Sequence, residues 1–370
     1  MRGDGTTIRT EVLMGTFVTI QVVGGASWDA GLASADAIEA RPPQVGDGAG
    51  NRSRRIGVEE TIQRAFDWFA RVEACCTRFD PASELMQLTT QIGVAVPVSP
   101  LLYAAVEFAL AVAEDSGGAF DPTVGHQMET RGFTREHRTG SLIRTTITPG
   151  DPTYRDVRVD PAAQTITLLR PLILDLGAVA KGLAIDLAAL ELRELGDYAI
   201  DAGGDLYLAG RNPAGAPWSA GIRHPRDEHQ LLAGIRVSNR AVCTSGDYER
   251  RSALGDHHIL DPRTGAPTAG VASATVVAPT AMLADALATA ALVLGPADGL
   301  RLLERHGVDG MIVSESATGL ERHATRGMLS DYDLGHEAVP VDSPPLAILP
   351  YAEGSAPRRA GGPGPDRRAR

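Results

Sequence analysis

The sequence predicts an α+β fold: a mixed sheet core with flanking helices. Three observations lead there. Short runs in which apolar and polar residues alternate lie close together in pairs, as the arms of hairpins do. Longer runs with helical periodicity fall between them at irregular intervals, which argues against a regularly alternating parallel sheet. The composition is that of a globular chain: 43% of the 370 residues are hydrophobic and 22% charged, enough to bury a large core.

Taken in order, "LMGTFVTIQVVG" (13–24) alternates and reads as the first strand. Residues 25–58, with "ARPPQVGDGAGNRSRR", are rich in Pro, Gly and Arg and predict a flexible insertion. A helix is expected over 58–79, where Ile62, Phe66, Phe69, Val72 and Cys76 share one face. A second helix spans 99–118 and ends at paired glycines, followed by the turn-rich "AFDPTVG". Strands at 156–160 and 164–169 flank "DPAAQ" as a hairpin, and 171–196 reads as strand, glycine-bearing loop and helix. Further strands are expected at 197–211, 218–225, 232–246, in "HHILDP" and at 273–279. A helix over 280–294 follows, capped by Thr280 and closed by Gly295, then "ADGLRLLERHG" and the strand "GMIVSE". Residues 1–335 read as one domain and 336–370, Pro/Gly/Arg-rich and without periodicity, as a disordered tail.

Bulk chemistry narrows the function. A net charge of −11 argues against sequence-independent nucleic-acid binding, which needs a cationic face. Cys75, Cys76 and Cys243 have neither metal-ligand spacing nor the pairing of a disulfide framework. The start of the chain shows no secretory signal, and no uninterrupted apolar stretch approaches the roughly 20 residues of a membrane span. The expectation is a cytoplasmic protein without a membrane anchor. Among 35 basic residues Lys181 is the only lysine, and it sits beside a glycine in "LGAVAKGLAID".

The candidate chemistry starts from "APTAMLADALATAALVLG" (278–295), a greasy helix carrying one carboxylate, Asp285. Burying it without a partner costs several kcal/mol or more. Either it faces solvent or something cationic meets it. Thr289 lies one turn on, on the same face, and two hard oxygen donors suggest Mg²⁺ or Ca²⁺. In "LILDLGAVAKG", Asp175 ends an apolar run and Lys181 opens a helix; a phosphate contact and an ordinary strand-to-helix turn both fit. "AIDAGGDLYLAG" places Gly203 and Gly204 beside Asp205, as a bulge or a ligand contact. "CTSGDYERR" is a polar turn or an anion cradle. His257 and His258 would face opposite sides of a strand, so at most one readily enters a given cavity. Phe120 offers an aromatic platform beside Asp121. Together these resemble the inventory of a nucleotide-cofactor site with a hard divalent cation.

The stretches "MGTFVTI", "CTRFDPASEL", "GGAFDPTVG", "LDLGAVAKGLAID", "DAGGDLYLAG", "TSGDYERR", "HHILDPRTGAP" and "TVVAPTAMLADALATA" occur in an order that resembles the ApbE family, the FAD:protein FMN transferases. The resemblance implies an ApbE-like domain with its FAD site in a cleft. It implies an enzyme that uses Mg²⁺ to cleave the FAD pyrophosphate, joins FMN to a threonine or serine hydroxyl of an acceptor flavoprotein, and releases AMP. Carried over position by position, Met14, Phe79, Ala119, Phe120, Asp121, Asp175, Lys181 and Ile259 would bind FAD. Asp285, Thr289 and the backbone carbonyl of Ala178 would ligate Mg²⁺. His258, with its near-neutral ordinary pKa, is the expected base for the acceptor hydroxyl, and Asp247 the alternative. Two departures stand out: Phe79 occupies a position where many relatives carry tyrosine, and 25–58 is longer than the usual connection. Many bacterial relatives are exported lipoproteins, whereas this chain has no lipid-attachment cysteine near its start. Its acceptor is therefore expected in the cytoplasm or with a cytoplasm-facing domain. The competing readings are an FAD pyrophosphatase yielding FMN and AMP, and a non-catalytic flavin-binding protein.

Overall fold

The computed structural model describes residues 5–24, 49–135, 142–143, 145, 150–249, 252, 255–330 and 332. The chain opens with β1 (Thr7–Leu13), β2 (Thr16–Val22), α1 (Ala49–Cys76), α2 (Glu84–Leu88), β3 (Val96–Pro97), α3 (Pro100–Asp115) and α4 (Gly125–Thr130). The middle holds β4 (Val157–Asp160), β5 (Thr165–Leu168), α5 (Gly177–Leu192), β6 (Tyr198–Ala202), β7 (Asp205–Ala209), β8 (Trp218–His224), β9 (Asp227–Val237) and β10 (Arg240–Gly246). Last come β11 (Leu260–Asp261), β12 (Ala266–Pro267), β13 (Val271–Ala278), α6 (Ala281–Arg305), β14 (Asp309–Ser316), β15 (Gly319–Ala324) and α7 (Arg326–Ser330).

Eight strands form the main sheet in the order β1-β2-β6-β7-β10-β13-β14-β15, every neighbouring pair antiparallel. Both faces of its centre are covered. On one side Ile20, Ile200, Cys243 and Val276 pack against α1, α3, α5 and α6 in the larger core. On the other, Ala199, Leu208, Val242 and Val277 meet the β8–β9 hairpin through Trp218, Ile222 and Ile235. Double coverage explains why β13, "VASATVVA", is buried at every residue instead of alternating.

Several expectations are corrected. The flexible insertion is partly helical, because α1 already begins at Ala49; residues 25–48 and the tail at 336–370 lie outside the described residues. The run "LIL" at 172–174 is buried in the core but forms no strand beyond an isolated bridge from Ile173 to Val124. The strand expected at 197–211 is two, β6 and β7, joined by a turn in which Gly203 and Gly204 both take positive φ (65° and 95°), so the glycines make a hairpin, not a bulge. Of "HHILDP", only Leu260 and Asp261 are in a strand. Thr280 does cap α6, accepting from the Leu283 amide, and at Gly295 (φ 78°, ψ 178°), just before Pro296, the backbone leaves helical geometry, so the expected helix closes there and a second one continues to Arg305. By length and mean hydropathy, 1.4 in its most apolar window, α6 could also cross a membrane; half of that window is buried inside the fold.

Candidate functional site

The start of α5 is set by Asp175. Its N–H donates to the Pro122 carbonyl (2.7 Å), its Oδ1 accepts from the Gly177 N–H (2.9 Å), and its Oδ2 accepts from Arg78 Nε (2.6 Å). Arg78, 5% exposed, also donates to the Phe133 carbonyl (2.8 Å), and its guanidinium carbon lies 4.2 Å from the Phe79 ring centroid. One buried cation thus joins the aromatic Phe79 to the turn that opens α5. In that turn Ala178 departs from helical geometry (φ −91°, ψ 15°), which tilts its carbonyl away from the helical direction.

Lys181, one turn into α5, forms an ion pair with Asp205 at the start of β7. The lysine side chain is 19% exposed and the Asp205 side chain 2%. Burial opposes the ammonium charge, but Asp205, Asp285 and Glu249 outweigh it and hold the lysine protonated above its ordinary range. Asp205 is held in turn by the Thr244 amide (3.2 Å). Asp285, 6% exposed, is buried on α6, and its charge adds to the field that holds Lys181 protonated. On the same face of α6, Thr289 Oγ1 lies 3.0 Å from Ser245 Oγ on β10. Burial also raises the carboxyl of Asp201, which accepts from the Gly204 amide (2.9 Å) in the β6–β7 turn.

Met14 sits at the tip of the β1–β2 hairpin with φ 53°, a conformation costly for a non-glycine residue, and its amide donates to Glu73 Oε2 (3.2 Å). That hairpin abuts the β6–β7 turn: Gly203 N–H donates to the Phe17 carbonyl (3.1 Å), and a Cβ at Gly203 would strike the Thr16 hydroxyl. Ala119 and Phe120 are buried in the interior. Asp121 shapes its own loop, accepting from the Thr123 amide and hydroxyl (2.8 and 2.7 Å) and the Tyr154 amide (2.9 Å), while burial pushes its carboxyl up. The 256–265 segment is docked on α4 and the turn after it by Arg131, which donates to the Gly265 carbonyl (3.0 Å) and pairs with Asp256 (2.9 Å). Within it His257 is buried against the Thr268 carbonyl (2.8 Å), His258 is half-buried, and Ile259 is buried. Asp247, the expected alternative base, accepts from Arg226 at both oxygens (2.6 Å each), and Arg226 also donates to Glu315.

The structure thus gathers Phe79, Asp175, Ala178 and Lys181 around the start of α5, with the Asp285 charge acting on Lys181. Sequence reasoning gave no role to Arg78 or Glu249 and left Asp205 without its partner. The signal for Asp205 was available: a lysine near a core demands an acid. Among the described residues no three His, Cys, Asp or Glu side chains gather as a metal cluster. Asp285, Thr289 and the Ala178 carbonyl are all hard oxygen donors, and a site of one carboxylate with neutral oxygens fits an ion that completes its shell with water and phosphate. A separate open cleft of about 380 Å³ lies between residues 267–271 and the α6 kink at 292–296, away from Lys181 and Asp285.

Comparison with known proteins bears on all of this. The profile described as the ApbE family matches residues 14–312. A protein of Treponema pallidum named FAD:protein FMN transferase is 34% identical over 282 residues, covering 69% of this chain and 77% of its own length. One of that name from Rhodobacter capsulatus is 34% identical over 207 residues, covering 53% of this chain and 39% of its own. The structure of the flavin transferase ApbE from Vibrio cholerae superposes with a TM-score of 0.69 at 23% identity, over 88% of this chain and 99% of that one.

Proposed function

The chain belongs to the ApbE family, and on that premise we propose that it transfers FMN from FAD to a threonine or serine hydroxyl of an acceptor flavoprotein, releasing AMP, with Mg²⁺ bound by Asp285, Thr289 and the Ala178 carbonyl. The observation that carries this reading is the sole lysine, paired with Asp205 and influenced by the charge of Asp285, at the opening of α5. Such an array places fixed charge of both signs where a pyrophosphate and its counter-ion would compete for it.

Bound Mg²⁺ would neutralise charge on the pyrophosphate as the phosphoanhydride opens. The chain's own residues do the rest. Lys181 stays protonated and presents an ammonium to phosphate oxygens. Phe79, braced by Arg78, offers a ring face to the flavin. His258 takes the proton of the acceptor hydroxyl as its oxygen attacks the FMN-side phosphorus; the bridging P–O bond breaks and AMP leaves with the electron pair. Asp247, paired with Arg226, is the alternative acceptor of this proton.

The test is incubation with FAD, Mg²⁺ and an acceptor flavoprotein, followed by a denaturing gel and nucleotide analysis. Flavin fluorescence that stays with the acceptor, with AMP released, supports the proposal. Free FMN with AMP would identify a hydrolase, and unchanged FAD a binding protein; either result refutes it.

A further inference from the structure

The motif "LDLGAVAKGLAID" ends on a carboxylate to which the site gives no task. Asp186 lies on α5, yet its side chain serves another helix: Oδ1 accepts from the Ala281 amide (2.7 Å) and Oδ2 from the Met282 amide (3.0 Å). The next amide, of Leu283, goes to the Thr280 hydroxyl (3.4 Å), and that of Ala284 to the Thr280 carbonyl (3.1 Å). From residue 281 onward the opening turn of α6 is thus satisfied, two of its amides by a residue 95 positions earlier in the chain. A residue capping its own helix could not do this.

One turn before Asp186, Gly182 lets the helices touch; a Cβ there would lie 2.5 Å from Met282 Cα and 2.6 Å from the Ala281 carbonyl oxygen. One residue before Gly182 is Lys181, whose ammonium is held protonated in part by the charge of Asp285, one turn beyond Ala281. Asp186 and Gly182, one turn apart on α5, thus both meet the first turn of α6, and Lys181 lies next to that junction. We propose that Asp186 is a positioning residue for the reaction: it fixes the register of α6 against α5, and so holds Asp285 and Thr289 opposite Lys181 and the Ala178 turn. A slip of one residue would move α6 by about 1.5 Å and turn Asp285 about 100° away from the lysine. The second carboxylate oxygen makes the difference, because two adjacent amides held by one rigid group define both height and rotation.

The inference rests on the reading of the site given under the proposed function. Its test compares the full-length parent with Asp186→Asn, which keeps one acceptor oxygen, and Asp186→Ala, which keeps none. Three quantities are read: amide hydrogen exchange in peptides covering 279–285, kcat for FMN transfer as a function of Mg²⁺, and KM for FAD. The expected result for alanine is exchange faster by about tenfold or more, kcat lower by about tenfold or more, a higher half-saturating Mg²⁺, and KM for FAD within about twofold. Asparagine should fall between alanine and parent, and decides the matter if alanine does not fold. Faster exchange with unchanged kcat and Mg²⁺ requirement would overturn the proposal and leave Asp186 a helix cap only. So would unchanged exchange. A parent that transfers no FMN at any Mg²⁺ concentration is a different failure, that of the underlying reading.

Discussion

Gly182→Ala measures how closely the two site-bearing helices must approach. Three backbone atoms of residues 281 and 282 lie 2.5–2.6 Å from where the new Cβ would fall, and ordinary Cβ contacts begin at 3.4 Å. No side-chain rotation relieves a clash between a Cβ and backbone, so the helices must part by about 1 Å. Overpacking of this kind costs ~1–3 kcal/mol, and three simultaneous backbone contacts put it at the upper end. Alanine recovers ~1 kcal/mol through its better helix propensity. The net expectation is a loss of about 2 kcal/mol, read from urea unfolding of the folded chain. Because the separation opens beside Lys181 and Asp285, kcat for FMN transfer should also fall, by about 100-fold for a displacement of about 1 Å. A variant as stable as the parent, with full turnover, would refute the reasoning, since the close crossing would then be dispensable.

Three more outcomes are expected. His258→Ala should lower FMN transfer by about 10²–10⁴-fold while FAD binding, followed by flavin fluorescence, persists; full activity would remove His258 from the role of base. Asp285→Asn should reduce Mg²⁺-dependent turnover by more than about 100-fold, checked by Mg²⁺ titration of the transfer rate; an unchanged Mg²⁺ dependence would dismiss Asp285 as a ligand. Burial pushes the Asp186 carboxyl up to about 6 despite the two amides that hold its ionised form. A carboxyl held above its unfolded value takes up a proton on folding, so its contribution to stability is complete below about pH 4 and is lost as pH rises through about 6, up to ~3 kcal/mol in all. Asp186→Asn does not titrate, so the parent's stability relative to it should decline between pH 4.5 and 6.5 in urea unfolding; a constant difference would contradict the shift.

Much of the fold was legible because its signals are local. Thr280 accepts an amide at the start of α6 as its position suggested, and Ile62, Phe66, Phe69, Val72 and Cys76 share the buried face of α1. The edge strand β1 escaped notice because its apolar residues sit on the outer face: Ile8 and Val12 are exposed while Arg9 and Glu11 are half-buried. The run at 172–174 is apolar enough for a strand, but its residues are buried in the core with a single isolated bridge, Ile173 to Val124, in place of a ladder. The site divides the same way. Asp285 announced itself as a charge out of place on an apolar helix. Asp186 and Arg78 did not, since an acid on a helix and an arginine in a polar turn are unexceptional until the chain brings distant backbone within their reach.

The chain's only lysine side chain is also the one paired with Asp205 and held protonated in part by Asp285. Protein grown on isotopically labelled lysine would therefore yield a single side-chain resonance, with no assignment problem and no engineered tag. That one peak would register the arrival of a phosphate, a dication or a proton at the heart of the molecule, and would do so in the unaltered sequence.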